Sequence, residues 1–304
     1  LFSVPILSQF APAKLNLFLA VTGRRPDGYH ELVSVAAPLD FGDTLRAEPV
    51  PGGFTLECDD VMVPRDETNL ILKAARAFSA ATGWSSGVRF LLEKRIPMGA
   101  GMGGGSSDGV AALRALNILA GNPLSAPGLA AIAAQLGSDC PLFLHAGPVV
   151  MRGRGERVAP LSAPAAAALH GRKVLVFKPD FGVTTAWAYA RLAAMGSEGY
   201  LPVADAEARL AAWLTRLEAA GRPSDRATAE LLFNNMEAAA FAKFLALPAM
   251  LERLRIDFGL APRMSGSGSA CYAFLTDDTP VDAIVVAIRA AWGAETFVMQ
   301  ARLA

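Results

Sequence analysis

Cysteine is scarce in this 304-residue chain, with only Cys58, Cys140 and Cys271 and no CxxC spacing among them. That argues against a disulfide framework and a structural zinc site, and it predicts a reducing, cytoplasmic setting. Net charge is lacking as well, because 28 basic residues balance 28 acidic ones. No overall field draws a nucleic-acid backbone or an anionic membrane, so the expected partner is a small molecule. Hydrophobic residues make up 53% of the chain, yet no apolar run reaches the roughly 20 residues of a spanning helix, which predicts a soluble protein. Leu1 to Phe10 is apolar without the basic start and small-residue cleavage site of a signal peptide. The chain opens without Met, as a trimmed end does, and this segment is set aside from the fold expectation.

The length suggests two domains. Residues Ala13 to Val21 read as a strand, because Leu15, Leu17, Leu19 and Val21 alternate with Lys14, Asn16, Phe18 and Ala20, placing Lys14 and Asn16 on one face. Leu32 to Val35 and Phe54 to Cys58, separated by Pro and Gly clusters, extend this into an expected meandering sheet. A helix is predicted from Thr68 through Ala80, then a strand over Val88 to Leu92, a glycine loop and a helix from about Ser107 to Ala120. The helix Pro127 to Leu136 is expected to end in a left-handed cap at Gly137. Leu161 to Gly171 resembles a linker and puts the domain boundary near Ala167, dividing the chain into 1–167 and 168–304. Beyond it come a strand, Lys173 to Phe177, and helices over Thr185 to Ala194, Ala204 to Ala220, Arg226 to Phe241 and Pro248 to Arg255. The loop Ser265 to Ser269, the strand Cys271 to Leu275 and a last helix complete an α+β second domain.

Pro97 to Asp108 places Gly99, Gly101, Gly103, Gly104 and Gly105 ahead of a helix start. Unobstructed backbone N–H groups and the helix dipole there suit phosphate, although glycine richness alone also fits a tight turn. No GxxxxGK[ST] sequence is present and no dinucleotide spacing matches. Ser106 and Ser107 could cap the helix or donate to phosphate, and Asp108 is expected in its first turn. Asp139, held before Pro141, reads either as a turn residue or as a base. Lys14, a cation within an apolar strand, calls for an anionic partner or a snorkelling exit. An Asp/Lys pair would suit phosphoryl transfer. Tyr29 and His30, after a Pro-Asp-Gly turn, could hold a flat base or simply pack. Met264 to Ser269 could close over phosphates or form a hairpin.

In this order, Pro12-Ala-Lys-Leu-Asn16, Pro26-Asp-Gly-Tyr-His30, Pro97-Met-Gly-Ala-Gly-Met-Gly-Gly-Gly-Ser-Ser107, Gly137-Ser-Asp139 and Met264-Ser-Gly-Ser-Gly268 resemble the GHMP kinase superfamily, over almost the whole chain. The first two segments resemble the branch that phosphorylates the 2-hydroxyl of 4-diphosphocytidyl-2-C-methyl-D-erythritol in non-mevalonate isoprenoid synthesis. The resemblance implies an α+β, two-domain fold, ribosomal-protein-S5-like then ferredoxin-like, with the site in the cleft between them. It implies ATP on Pro97, Gly99, Gly101, Gly103, Gly104, Gly105, Ser106 and Ser107, with Mg2+ accompanying the nucleotide and no metal ligand assigned. It implies catalysis by Asp139 as base and Lys14 as its partner. Asn16 is then a substrate-site residue, Tyr29 and His30 hold cytosine, and Thr185 and Tyr189 contribute to the substrate site. Ala100, Ser138, Cys140 and Asn235 depart from the pattern, and Ala100 leaves open whether every loop amide reaches phosphate. Other GHMP acceptors, such as homoserine or mevalonate, and a non-catalytic ligand-binding regulator are the alternatives.

Overall fold

The computed structural model describes residues 6–220, 229 and 231–304. They form two compact units: 6–13, 41–98 and 103–146 make up the first, and 14–40, 99–102 and the described residues from 147 onward make up the second.

In the first unit, the end of β2 (His30–Val50) pairs antiparallel with β4 (Gly87–Glu93), and β3 (Phe54–Cys58) pairs parallel with β4. This order corrects the expected meander: α1 (Leu70–Thr82) is a crossover, and a parallel pair requires one. Asn69 caps α1 by accepting from the Ile71 amide at 2.9 Å. α1 packs on α2 (Gly104–Leu119), where a Cβ on Gly109 would stand 3.1 Å from that of Leu70. Ile71, Phe78, Phe90 and Leu92 are buried beneath these helices. α2 starts three residues earlier than expected, within the glycines, so Asp108 is in its second turn and is buried. α3 (Ala126–Leu136) ends as predicted, but Gly137 is extended rather than left-handed, with φ 177°.

In the second unit, β2 pairs antiparallel with β5 (Val149–Gly153), and β5 with β6 (Arg157–Pro160). β1 (Leu7–Arg24) pairs parallel with β8 (Phe233–Asn234), bringing Phe18 opposite Phe233. The segment set aside at the N-terminus therefore includes strand residues from Leu7 onward. β8 corrects the helix expected over Arg226 to Phe241, of which 226–228 and 230 lie outside the described residues; a short helix, α7 (Met236–Phe241), follows the strand. A second sheet has the order β11 (Phe297–Arg302), β7 (Lys173–Lys178), β10 (Cys271–Phe274), β9 (Arg263–Met264), all antiparallel. The stretch read as a linker holds α4 (Ala163–Leu169), capped by Ser162 and buried at Ala165 and Leu169. α5 (Thr185–Ala194), α6 (Val203–Ala220), α8 (Ala246–Phe258) and α9 (Val281–Trp292) complete the unit.

Candidate active site

In the first unit, α2 opens on Gly103, whose φ of 73° no ordinary residue adopts cheaply, and no side chain caps the helix. The amide of Ser107 bonds the Gly103 carbonyl at 2.9 Å. The amides of Gly104, Gly105 and Ser106 precede it and have no intrahelical acceptor, so they form an anion-binding end. The Ser107 hydroxyl is buried without a hydrogen-bond partner. Ser106 pairs instead with the Cys140 thiol, which burial pushes up to about 11.

Beneath this end stands a buried cluster that sequence reading missed. Lys94 Nζ lies 2.5 Å from Asp43 Oδ2 and 2.7 Å from Asp108 Oδ2, and a Cβ on Gly104 would come within 2.9 Å of the ammonium. Asp43 also accepts from the amides of Arg95 and Ile96 at 2.5 and 2.8 Å. Burial opposes the Lys94 charge, but both carboxylates outweigh it and raise its pKa. Burial, relieved by Lys94 and reinforced by Asp43, raises Asp108 to about 7. Asp139 sits half-buried in the turn between α3 and the 3-10 segment Pro141–Leu144.

The middle of the glycine loop belongs to the second unit. There the carbonyls of Ala100, Gly101 and Met102 accept from the Ala270 amide, the Ser265 hydroxyl and the Lys14 amide, at 3.0, 3.3 and 3.0 Å. β1 presents Lys14 and Asn16 together, as alternation predicted, with Lys14 Nζ donating to Asn16 Oδ1 at 2.5 Å. Asn16 donates to Ser34 Oγ at 2.9 Å, its amide donates to Ser265 Oγ at 3.1 Å, and its carbonyl accepts from the Tyr272 hydroxyl at 3.1 Å. Every polar group of Asn16 is thus tied down inside a buried network. The loop after β9 closes on this pair: a Cβ on Gly266 would stand 3.1 Å from Asn16 Oδ1 and 3.4 Å from Lys14 Nζ. Asn234 steadies that loop by donating to the carbonyls of Met264 and Gly266. The loop is also a hairpin, since β9 and β10 pair through Met264 and Cys271.

Nearby in the chain, Tyr29 is half exposed, whereas the His30 ring packs 4.8 Å from that of Tyr189 and 5.9 Å from that of Tyr200. His30 Nε2 is buried without a partner, and burial, aided by Arg24, lowers the pKa of the ring. A neutral imidazole with an unused nitrogen can exchange one hydrogen bond with a ligand. Thr185 Oγ1 meets Ser267 Oγ at 3.1 Å. Ser34, Tyr200 and Lys178 were not singled out from the sequence, whereas Ser265 and Ser267 lie in the loop that was; Lys178 is buried with its ammonium on the carbonyls of Pro179 and Phe181.

Comparison with known proteins separates the fold from the acceptor. Residues 69–147 match the model of the GHMP kinases N terminal domain, and 216–294 that of the GHMP kinases C terminal domain. A 4-diphosphocytidyl-2-C-methyl-D-erythritol kinase of Synechococcus elongatus is 39% identical over 292 residues, covering 94% of this chain and 91% of that protein. The chain belongs to this family of GHMP kinases. Another family member, from Alcanivorax borkumensis, is 39% identical over 88% of this chain and 81% of its own. A crystal structure of a 4-(cytidine 5'-diphospho)-2C-methyl-D-erythritol kinase superposes with a TM-score of 0.75 at 35% identity, covering 98% of this chain and all of the other. Homoserine kinase from Cytophaga hutchinsonii reaches a TM-score of 0.74 at 18% identity, covering 98% of this chain and 95% of its own, and shares the fold alone. The two-domain GHMP kinase fold with two sheets, expected from the motifs, is what the chain has.

Proposed function

We propose that this chain transfers the γ-phosphoryl group of ATP to the 2-hydroxyl of 4-diphosphocytidyl-2-C-methyl-D-erythritol, in isoprenoid precursor synthesis. One observation carries the choice of acceptor: relatives bearing that activity match at 35 to 39% identity along nearly the whole chain, whereas homoserine kinase matches at 18%. The Gly103 to Ser107 end of α2, with Pro97, Gly99 and Gly101, binds the nucleotide's phosphates. Asp139 accepts the proton of the acceptor hydroxyl. Lys14, oriented by Asn16, stabilises the charge that develops there. Tyr29 and His30 hold the cytosine, His30 through its unused Nε2, while Tyr189 and Thr185 border the substrate.

Among the described residues no group of three His, Cys, Asp or Glu side chains could hold a metal ion. In this reading a magnesium ion accompanies the nucleotide's phosphates, and no residue of the chain is assigned as its ligand. When bound, it neutralises phosphate charge. A cytoplasmic setting belongs to the same proposal, supported by three free cysteines.

The test is ADP release from Mg·ATP by the purified protein, with the cytidine substrate, homoserine or mevalonate as acceptor. Stimulation by the cytidine substrate alone is expected. Stimulation by another acceptor overturns the substrate assignment, and silence with all three overturns catalysis.

A further inference from the structure

The Tyr29 ring carries a cation on one side. Arg154 stands with its guanidinium carbon 4.9 Å from the ring centroid, within cation–π range. Both residues are on tight turns whose conformations are set locally. Tyr29 follows Gly28, whose amide bonds the Arg25 carbonyl at 3.1 Å, while the Arg25 amide returns to the Tyr29 carbonyl at 2.8 Å. Asp27 Oδ1 accepts the Tyr29 amide at 3.1 Å.

Arg154 is in the β5–β6 turn, with its amide on Glu156 Oε2 at 2.6 Å. The same carboxylate lies where a side chain on Gly153 would go, and Gly153 has a φ of 73°, so the turn needs glycine there. Glu31 links the two turns, accepting from Arg25 Nη1 at 2.9 Å and from Arg157 Nη2 at 2.7 Å. Each such ion pair contributes little to stability, and Glu31 connects the segment before Tyr29 to the start of β6 just beyond Arg154.

We propose that Arg154 is a specificity-determining positioning residue for the cytidine end of the substrate: it occupies one face of Tyr29 and leaves the other as the stacking face for the base. This rests on the proposed role of Tyr29. A ring already ordered by a cation loses less freedom when a base stacks on it, so the effect falls on substrate affinity and not on the chemical step. The guanidinium acts through Tyr29, so its contribution disappears when the ring is removed.

The experiment is steady-state kinetics on Arg154→Met, Arg154→Lys, Tyr29→Leu and the Arg154→Met/Tyr29→Leu pair. Expected is a roughly two- to fivefold rise in KM for the cytidine substrate in Arg154→Met, the size of an exposed cation–π contact. Its kcat and KM for ATP should stay unchanged, and Arg154→Lys should recover most of the loss. In the Tyr29→Leu background the second substitution should add nothing. If Tyr29→Leu raises KM but Arg154→Met does not, or if the two effects simply add, the role of Arg154 is overturned while that of Tyr29 stands. An unchanged KM in Tyr29→Leu overturns both.

Discussion

Lys94 Nζ lies 2.7 Å from Asp108 Oδ2, below the first residue of α2. With Asp43 it makes a buried trio of one cation and two carboxylates, in which Lys94 supplies the positive charge that both acids face. Lys94→Met should therefore leave two carboxylates facing each other in the core and cost about 3–5 kcal/mol. Urea unfolding measures this, and a loss below about 1 kcal/mol would refute the pairing.

The same trio gives the fold a pH dependence. Asp108 is raised by burial to about 7 from an ordinary 3.8, so between those values the folded protein binds a proton that the unfolded chain does not. This contribution is complete below about pH 4 and is lost as pH rises through about 7. Wild type should lose on the order of 1 kcal/mol or more between pH 5 and 8, and Asp108→Asn should show a flatter profile. Matching slopes would count against the assignment.

Asp139→Asn should fold normally and bind ATP as wild type does, while turnover falls by about 10²- to 10⁴-fold. ATP titration by calorimetry, run beside the ADP-release assay, separates the two. Retained turnover would remove Asp139 from the mechanism.

Gly266→Ala places a methyl group 3.1 Å from Asn16 Oδ1 and 3.4 Å from Lys14 Nζ, at a φ of 59°. Displacing the Lys14–Asn16 pair should lower kcat roughly tenfold or more, with a stability cost of about 1–3 kcal/mol. A variant with full kcat would show that the loop is not closed on the pair during turnover.

What could be read from the sequence was what depends on neighbours along the chain. α5 and β7 emerged nearly residue for residue, because each carries its own period and its own punctuation. Lys14 and Asn16 were placed on one face for the same reason. Their partners were not legible, since Ser34, Ser265 and Tyr272 are 18, 249 and 256 residues from Asn16. Lys94 drew no reading from the sequence, because its partner Asp43 is 51 positions away. Phe233 and Asn234 read as helix until β1 offered a parallel edge, a tertiary choice that overrides local propensity. Gly137 looked like a left-handed cap, yet its backbone is extended, as its amide bonds Ala133 while the chain leaves α3.

The route of the chain limits how this protein can be cut. It passes from one unit to the other at residues 13–14, 40–41, 98–99, 102–103 and 146–147, so no single break releases either unit whole. A fragment ending at Ala146 keeps Asn16 and Phe18 but loses Ser265 and Phe233, their partners in hydrogen bonding and strand pairing. Neither piece is a ready-made module: gene halves expressed separately must find each other before either can finish folding, and an interrupted transcript yields a polypeptide with open strand edges.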